Sequence, residues 1–194
     1  MIRLAVFASG SGSNARRIME YFAEHPHIRV ALLVCNKPDA GAMDVAREHG
    51  VETLLIRRKP FAETTELLDA LRERAIDFIA LAGFLWLLPP YLVRAFPRRI
   101  LNIHPSLLPK YGGKGMYGMH VHEAVKAAGE TVTGMTIHYV NERYDEGDIV
   151  FQATCAVEPD DSAADIARKV LALEHAHYPE VIERTAYPFS SQTT

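Results

Sequence analysis

The sequence predicts an α/β fold: a mostly parallel sheet with helices on both faces and an antiparallel strand in its C-terminal half. Three observations carry this. In the first half, short apolar runs alternate with amphipathic ones, the pattern of parallel strands joined by crossover helices. The first apolar run ends in a glycine turn, Gly10–Ser11–Gly12–Ser13–Asn14. The second half instead carries two strand-like runs separated only by the turn Asn141–Asp148.

Taken in order, Leu4–Ala8 is a first buried strand. Met1–Gly10 superficially resembles a signal peptide, but its apolar part is too short and leads straight into the glycine turn. Asn14–His25 reads as a helix, Val30–Cys35 as a strand, Ala40–His49 as a helix and Glu52–Ile56 as a strand. Thr64–Ala75 is expected to be a helix, Phe78–Ala82 a strand, and Pro90–Phe96 a short helix before the strand Ile100–His104. Lys110–His122 holds Gly112, Gly113, Gly115 and Gly118 and reads as a mobile loop, with Gly112–Met119 as a lid or, alternatively, a tolerated insertion. Val132–Val140 and Ile149–Val157 read as paired antiparallel strands. Ser162, with Asp165 three residues on, caps a last helix running towards Tyr178. The arrangement is Rossmann-like. Residues 1–187 are expected to form one domain, and residues 188–194 a disordered tail.

Composition sets the bounds. A chain of 194 residues is long enough for a substantial core. A formal charge of −3 gives no basic footprint for nucleic acid. No apolar run approaches the ~20 residues of a membrane span. Cys35 and Cys155, far apart and inside strands, read as two reduced buried thiols of a cytoplasmic protein.

The densest chemical signal is Ile100–Tyr111, ILNIHPSLLPKY. The run Ile100–His104 alternates, so Asn102 and His104 share a face, and Pro105 ends the ladder just beyond them. Two polar side chains on an apolar strand are costly to bury without partners, so a site at the strand end is the better account. Tyr144–Asp148 supplies carboxylates on a turn. Amide, imidazole and carboxylate together suit acyl transfer: an oxyanion donor, a proton carrier, and a group that tunes the carrier.

The glycine turn suits an anion, since its N–H groups and the following helix end both favour negative charge. A dinucleotide site would also want an acidic residue after the second strand, where this chain has Asn36. The plainer reading is a turn that only connects strand to helix. Phe84–Leu88, an apolar run at a strand end, reads equally as core or as a pocket wall. His120/His122 and His175/His177 stand at i, i+2, a spacing that does not converge on one ion in a helix, so no metal is expected.

The glycine turn, NIHPSLLPKY and the Asp145 motif YDEGDIV, in that order from about Ile2 to Pro179, resemble the phosphoribosylglycinamide formyltransferases of the folate-dependent formyltransferase family. The resemblance implies the formyltransferase fold. It also implies transfer of a formyl group from 10-formyltetrahydrofolate, as cosubstrate, to the amine of glycinamide ribonucleotide in purine biosynthesis. Its catalytic residues would be Asn102, His104 and Asp145, with Asn102 and a protonated His104 donating to the formyl oxygen, and Asp145 raising the imidazole pKa and able to take the amine's proton through a water. Gly12, Ser13 and Asn14 would hold the ribonucleotide phosphate, and Glu174 the ribose hydroxyls. Leu85, Trp86, Leu87, Leu88, Asn102, Asn141 and Asp145 would contact the folate. Many members carry a basic residue where this chain has Trp86, so stacking would replace charge there. The partners would be small molecules, with no nucleic acid or membrane, and the state a monomer or homodimer. Rival readings are a formyltetrahydrofolate hydrolase or methionyl-tRNA formyltransferase, whose extra N- or C-terminal domains this chain is not expected to carry. A sugar-nucleotide formyltransferase and a nucleotide-binding module are the others.

Overall fold

The computed structural model describes residues 1–188; of the tail 188–194 expected to be disordered, only Pro188 is described, in the helical turn that follows Ala186, and 189–194 lie outside the described residues. Seven strands form one sheet in the order β3-β2-β1-β4-β5-β6-β7. The strands are β1 (Ile2–Ala8), β2 (Ile28–Cys35), β3 (Glu52–Leu55), β4 (Phe78–Leu81), β5 (Ile100–His104), β6 (Val132–Tyr139) and β7 (Ile149–Ala156). The first five run parallel; β6 is antiparallel to β5, and β7 to β6. The helices are α1 (Ser13–Tyr21), α2 (Gly41–Glu48), α3 (Arg58–Glu63), α4 (Glu66–Glu73), α5 (Pro90–Ala95), α6 (Met119–Ala127) and α7 (Ala163–Ala186). The predicted fold class is the observed one.

Strand alternation divides the core in two. Leu4, Val6, Phe78, Leu101 and Ile103 face the side covered by α1, α2 and α7, whereas Ala5, Phe7, Ile79, Leu81 and Ile100 face α3, α4 and α5. Order reverses between β1 and β4, because the chain builds β1 to β3 outwards and then returns to the other flank of β1. Such a switch point leaves a crevice at the carboxyl ends of the strands. The turn after β1 and the segment after β4 meet there: Ser9 N–H donates to the Gly83 carbonyl at 3.1 Å, and Leu85 N–H to Ser9 Oγ at 3.1 Å.

Three elements depart from expectation. α3 was not anticipated; Pro60 sits in its first turn, where a missing N–H costs nothing, and buried Phe61 anchors it. The glycine-rich loop ends earlier than His122, because Val121 and Val125, one turn apart, bury one face of α6. α7 does not stop near Tyr178: it continues through Pro179, whose cost of ~3 kcal/mol inside a helix is offset by burial of Val181, Ile182 and Ala186. The Ser162 cap forms with Asp165 as expected, each side chain bonded to the other's backbone N–H. Cys35 is buried, but Cys155 is only half-buried because β7 is the outer strand; both are free thiols. No helix among the described residues is long and apolar enough to cross a membrane.

Candidate active site

Register builds the site. β5 and β6 pair so that Asn102 lies opposite His138 and His104 opposite Thr136, all four on one face. Thr136 then fixes the turn after β5: its hydroxyl donates to the Ser106 carbonyl at 2.6 Å and accepts from Leu108 N–H at 3.0 Å. The turn brings the Tyr111 carbonyl back onto His104 Nε2 at 2.8 Å. A carbonyl can only accept, so Nε2 carries the proton and Nδ1 is the ring's free position. Nδ1 faces Asp145 Oδ2 at 3.6 Å.

Asp145 has φ +56°, a left-handed conformation that Asp tolerates better than most residues. Its carboxylate accepts from Gly113 N–H at 2.9 Å and from Asn102 Nδ2 at 3.4 Å, and stands 3.6 Å from His138 Nε2. His138, only 2% exposed, donates Nδ1–H to the Tyr139 carbonyl at 2.9 Å, which leaves Nε2 to accept from Asn102 Nδ2 at 3.1 Å. Burial pushes Asp145 up, yet His138, His104 and the Gly113 amide together hold it below its ordinary value. Burial is also the largest influence on His104 and pushes the imidazole down; Asp145 and the Tyr111 carbonyl raise it without restoring it. Asp145 thus raises the imidazole as expected, but burial outweighs it and the ring stays below its ordinary value, which does not favour the protonated form expected of His104.

These groups open on a cavity of about 520 Å³. Leu85, Trp86, Leu87 and Leu88 line one wall, and Asn14 and Glu174 another. Trp86 is itself wedged between Phe61 and Phe84, with centroids 5.3 and 6.1 Å away, and the Arg58 guanidinium lies over it at 4.9 Å. Gly113–Gly118 and the 143–145 turn complete the lining. Tyr178, one turn after Glu174 on α7, ties that helix to the sheet, its hydroxyl donating to the carbonyls of Leu81 and Leu101 at 2.9 and 3.2 Å.

Three expected residues do not line this cavity. Asn141 instead opens the 141–148 turn, its Oδ1 accepting from Arg143 N–H at 2.8 Å. Gly12 and Ser13 lie where the glycine turn meets α1, and Gly12 has a packing reason of its own. It has φ +83°, and a Cβ there would lie 2.6 Å from Ala42 Cα. A second, more open cleft borders the turn, lined by Ser9–Ser11, Lys37 and the start of α2. His120 is exposed beside Glu123, His122 is buried and His177 packs on Phe151. Among the described residues no group of His, Cys, Asp and Glu is placed to hold a metal. His138 was missed by sequence reading. Its signal was present: Thr136 and His138 repeat on β6 the i, i+2 polar pair of Asn102 and His104, but only the register joins them.

Two results are expected here. A Cβ at Gly147 would stand 1.6 Å from the Tyr139 carbonyl oxygen that holds His138. Gly147→Ala should therefore lower the unfolding free energy by about 2–3 kcal/mol, read as a lower urea midpoint; an unchanged midpoint would show that the turn yields freely. Glu174 is 7% exposed, and burial pushes its carboxyl up to about 7, only partly offset by the Asn14 amide donating to it at 2.6 Å. Above the ordinary glutamate value of 4.5 the unfolded chain releases a proton that the folded chain keeps. Stability must then fall with rising pH until about 7, by up to about 3 kcal/mol from this group. Glu174→Gln keeps the bond and removes the titration. Urea unfolding at pH 5 and pH 8 should show the variant gaining on the wild type as pH rises, and parallel curves would contradict it.

Residues 2–182 match the formyl transferase family. The chloroplastic phosphoribosylglycinamide formyltransferase of Arabidopsis thaliana is 47% identical over 186 residues, covering 93% of this chain. The chain spans 64% of that protein and 60% of its Vigna unguiculata counterpart, less than two thirds of either. The phosphoribosylglycinamide formyltransferase of Bacillus subtilis is 35% identical, covering 95% of this chain and 94% of its own length. The structure of glycinamide ribonucleotide transformylase 1 from Symbiobacterium toebii superposes with a TM-score of 0.88 at 36% identity, covering 97% of this chain and 89% of that one. On this match along nearly its whole length, the chain belongs to the formyl transferase family.

Proposed function

We propose that this protein transfers the formyl group of 10-formyltetrahydrofolate to the amine of N1-(5-phosphoribosyl)glycinamide, in the de novo synthesis of IMP. The observation that carries the reading is the meeting of Asn102, His104 and Asp145 in a cavity with one apolar wall and one polar wall. The apolar wall, Leu85–Leu88, suits a flat pterin. The polar wall suits a ribonucleotide: Glu174 can accept from ribose hydroxyls, and the buried Oδ1 of Asn14 has no hydrogen-bond partner among the described residues. The glycine turn beside it, Gly12 to Asn14, would take the phosphate through backbone N–H groups.

The chemistry follows from the hydrogen bonds. When the amine attacks the formyl carbon, charge develops on the formyl oxygen, and Asn102 Nδ2 can meet it by exchanging its long 3.4 Å bond to Asp145 for one to that oxygen while keeping its bond to His138. His104, neutral at rest, presents its Nδ1 lone pair, takes the proton of the attacking amine and returns it to the departing N10 of the folate. While charged, the ring is stabilised by Asp145 and can itself donate to the oxygen. Asp145 thus acts through His104, and His138 positions both Asn102 and Asp145. The cytoplasm, a single domain over residues 1–187, and a monomeric or homodimeric state belong to the same proposal.

The test is formyl transfer from 10-formyltetrahydrofolate with glycinamide ribonucleotide, without it, and with a sugar nucleotide amine instead. Tetrahydrofolate release only with the ribonucleotide is expected. Equal release in its absence would make the protein a hydrolase, and release only with the sugar nucleotide would move the acceptor.

A further inference from the structure

We propose that Glu130, which lies outside the cavity, is a positioning residue for His104 and Asp145 and acts on both through Tyr111; this rests on the catalytic reading above. Tyr111 has φ +55°. That left-handed conformation is unfavourable for a residue with a bulky side chain, so something must hold it there. Two contacts of the site depend on it. The Tyr111 carbonyl accepts from His104 Nε2 at 2.8 Å, and two residues on, Gly113 N–H donates to Asp145 Oδ2 at 2.9 Å. Were Tyr111 to relax to negative φ, the peptides on both sides of it would turn and carry both contacts away.

The segment leading to Tyr111 is tied down before Tyr111 is reached. Thr136 holds Ser106 and Leu108, Ser106 Oγ donates to the Lys110 carbonyl at 2.7 Å, and Lys110 N–H donates to the Leu107 carbonyl at 3.1 Å. These ties leave the dihedrals of Tyr111 itself unfixed. Its ring packs partly against the core, and its hydroxyl donates to Glu130 Oε1 at 2.9 Å. Glu130 stands between α6 and β6, with its own N–H reaching back to the Val125 carbonyl at 3.4 Å. The acceptor therefore belongs to the scaffold and not to the glycine-rich loop. Lys110 Nζ reaches the same oxygen at 2.8 Å, and Lys110 and Tyr111 together hold Glu130 below its ordinary value, so it is ionised at neutral pH. A hydroxyl bonded to a carboxylate is a strong tie. The Lys110 pair is a weak one, because that side chain is 66% exposed. Neither Glu130 nor Tyr111 lines the cavity, so their effect on turnover is carried by position and not by contact with substrate.

The experiment measures kcat, KM for both substrates, the urea midpoint and the nitrogen chemical shifts of the His104 ring. It does so in wild type, Glu130→Ala, Glu130→Gln, Tyr111→Phe, Lys110→Gln and the double variant Tyr111→Phe with Glu130→Ala. In ligand-free wild type, above the imidazole pKa, the shifts should report a proton on Nε2. Glu130→Ala and Tyr111→Phe should each lower kcat about tenfold with KM kept, and move the ring towards a mixture of tautomers. The double variant should be no slower than either single one, because both remove the same bond. Glu130→Gln, whose amide oxygen still accepts from the hydroxyl, should restore most of kcat and the Nε2–H form. Lys110→Gln should match wild type in both. A lowered urea midpoint with kcat and tautomer unchanged in Glu130→Ala and Tyr111→Phe would make the contact structural only and overturn the proposal. A loss of kcat in Glu130→Ala that Tyr111→Phe does not share would overturn it too. Should wild type transfer no formyl group, the catalytic reading fails, while the His104 tautomer in the same variants still decides whether Glu130 positions that ring.

Discussion

His104→Ala and Asn102→Ala should each lower kcat by about a hundredfold or more, while KM for either substrate moves by much less. His104 is the one group in the cavity with a free ring nitrogen held in a single tautomer, because Tyr111 takes the other nitrogen. Without it the amine must lose its proton to water. Asn102 is the amide facing the place where charge would build, and truncating it removes a donor that acts mainly in the transition state. The two variants differ in a way that separates chemistry from scaffolding. Asn102→Ala also strips His138 Nε2 and Asp145 Oδ1 of their donor, so a stability loss of about 1–2 kcal/mol should accompany it. His104→Ala removes a buried ring whose nitrogens face the Tyr111 carbonyl and Asp145, and neither partner depends on it for its own placement as His138 depends on Asn102. Single-turnover rates on folded protein decide the matter, and a wild-type rate in either variant would take that residue out of the reaction.

Period and punctuation made much of this legible in the sequence. β1, β2 and β4 are apolar on both faces because both faces are covered, and β5 alternates because one of its faces meets the cavity. That is why Asn102 and His104 stood out. The losses were of two kinds. Where a local rule predicts an end, tertiary burial can override it: Pro179 is a helix breaker by itself, but not with Val181 and Ile182 packed beyond it. Where function needs two segments, sequence shows each half only. His138 belongs to the site because β6 pairs with β5 in one register, and a slip of one residue would turn it away. The glycine turn shows a third limit. Gly12 meets the pattern for anion binding and the packing demand of Ala42 with the same residue, so the motif alone could not tell the two apart.

Asp145→Asn should keep the shape of the site and still lose most of the turnover, by about a hundredfold. Asparagine tolerates the left-handed backbone at φ +56° as aspartate does, and its carbonyl oxygen can go on accepting the Gly113 N–H. What disappears is the negative charge 3.6 Å from His104 Nδ1. Burial already pushes the His104 imidazole below its ordinary value, and Asp145 is the largest influence opposing it. Removing that influence must lower the imidazole pKa further, so the ring becomes a poorer acceptor for the amine proton. NMR titration of His104 in the ligand-free protein should therefore shift to lower pH, together with the fall in kcat. Asp148→Asn is the control, because Asp148 is exposed, pairs with Arg98 at 3.0 Å and stays outside the cavity. Its kcat should match wild type. A His104 titration unmoved in Asp145→Asn would show that the carboxylate does not act through the imidazole. If turnover were lost all the same, the hydrogen bonds of Asp145 to Asn102 and Gly113, rather than its charge, would be what the reaction needs.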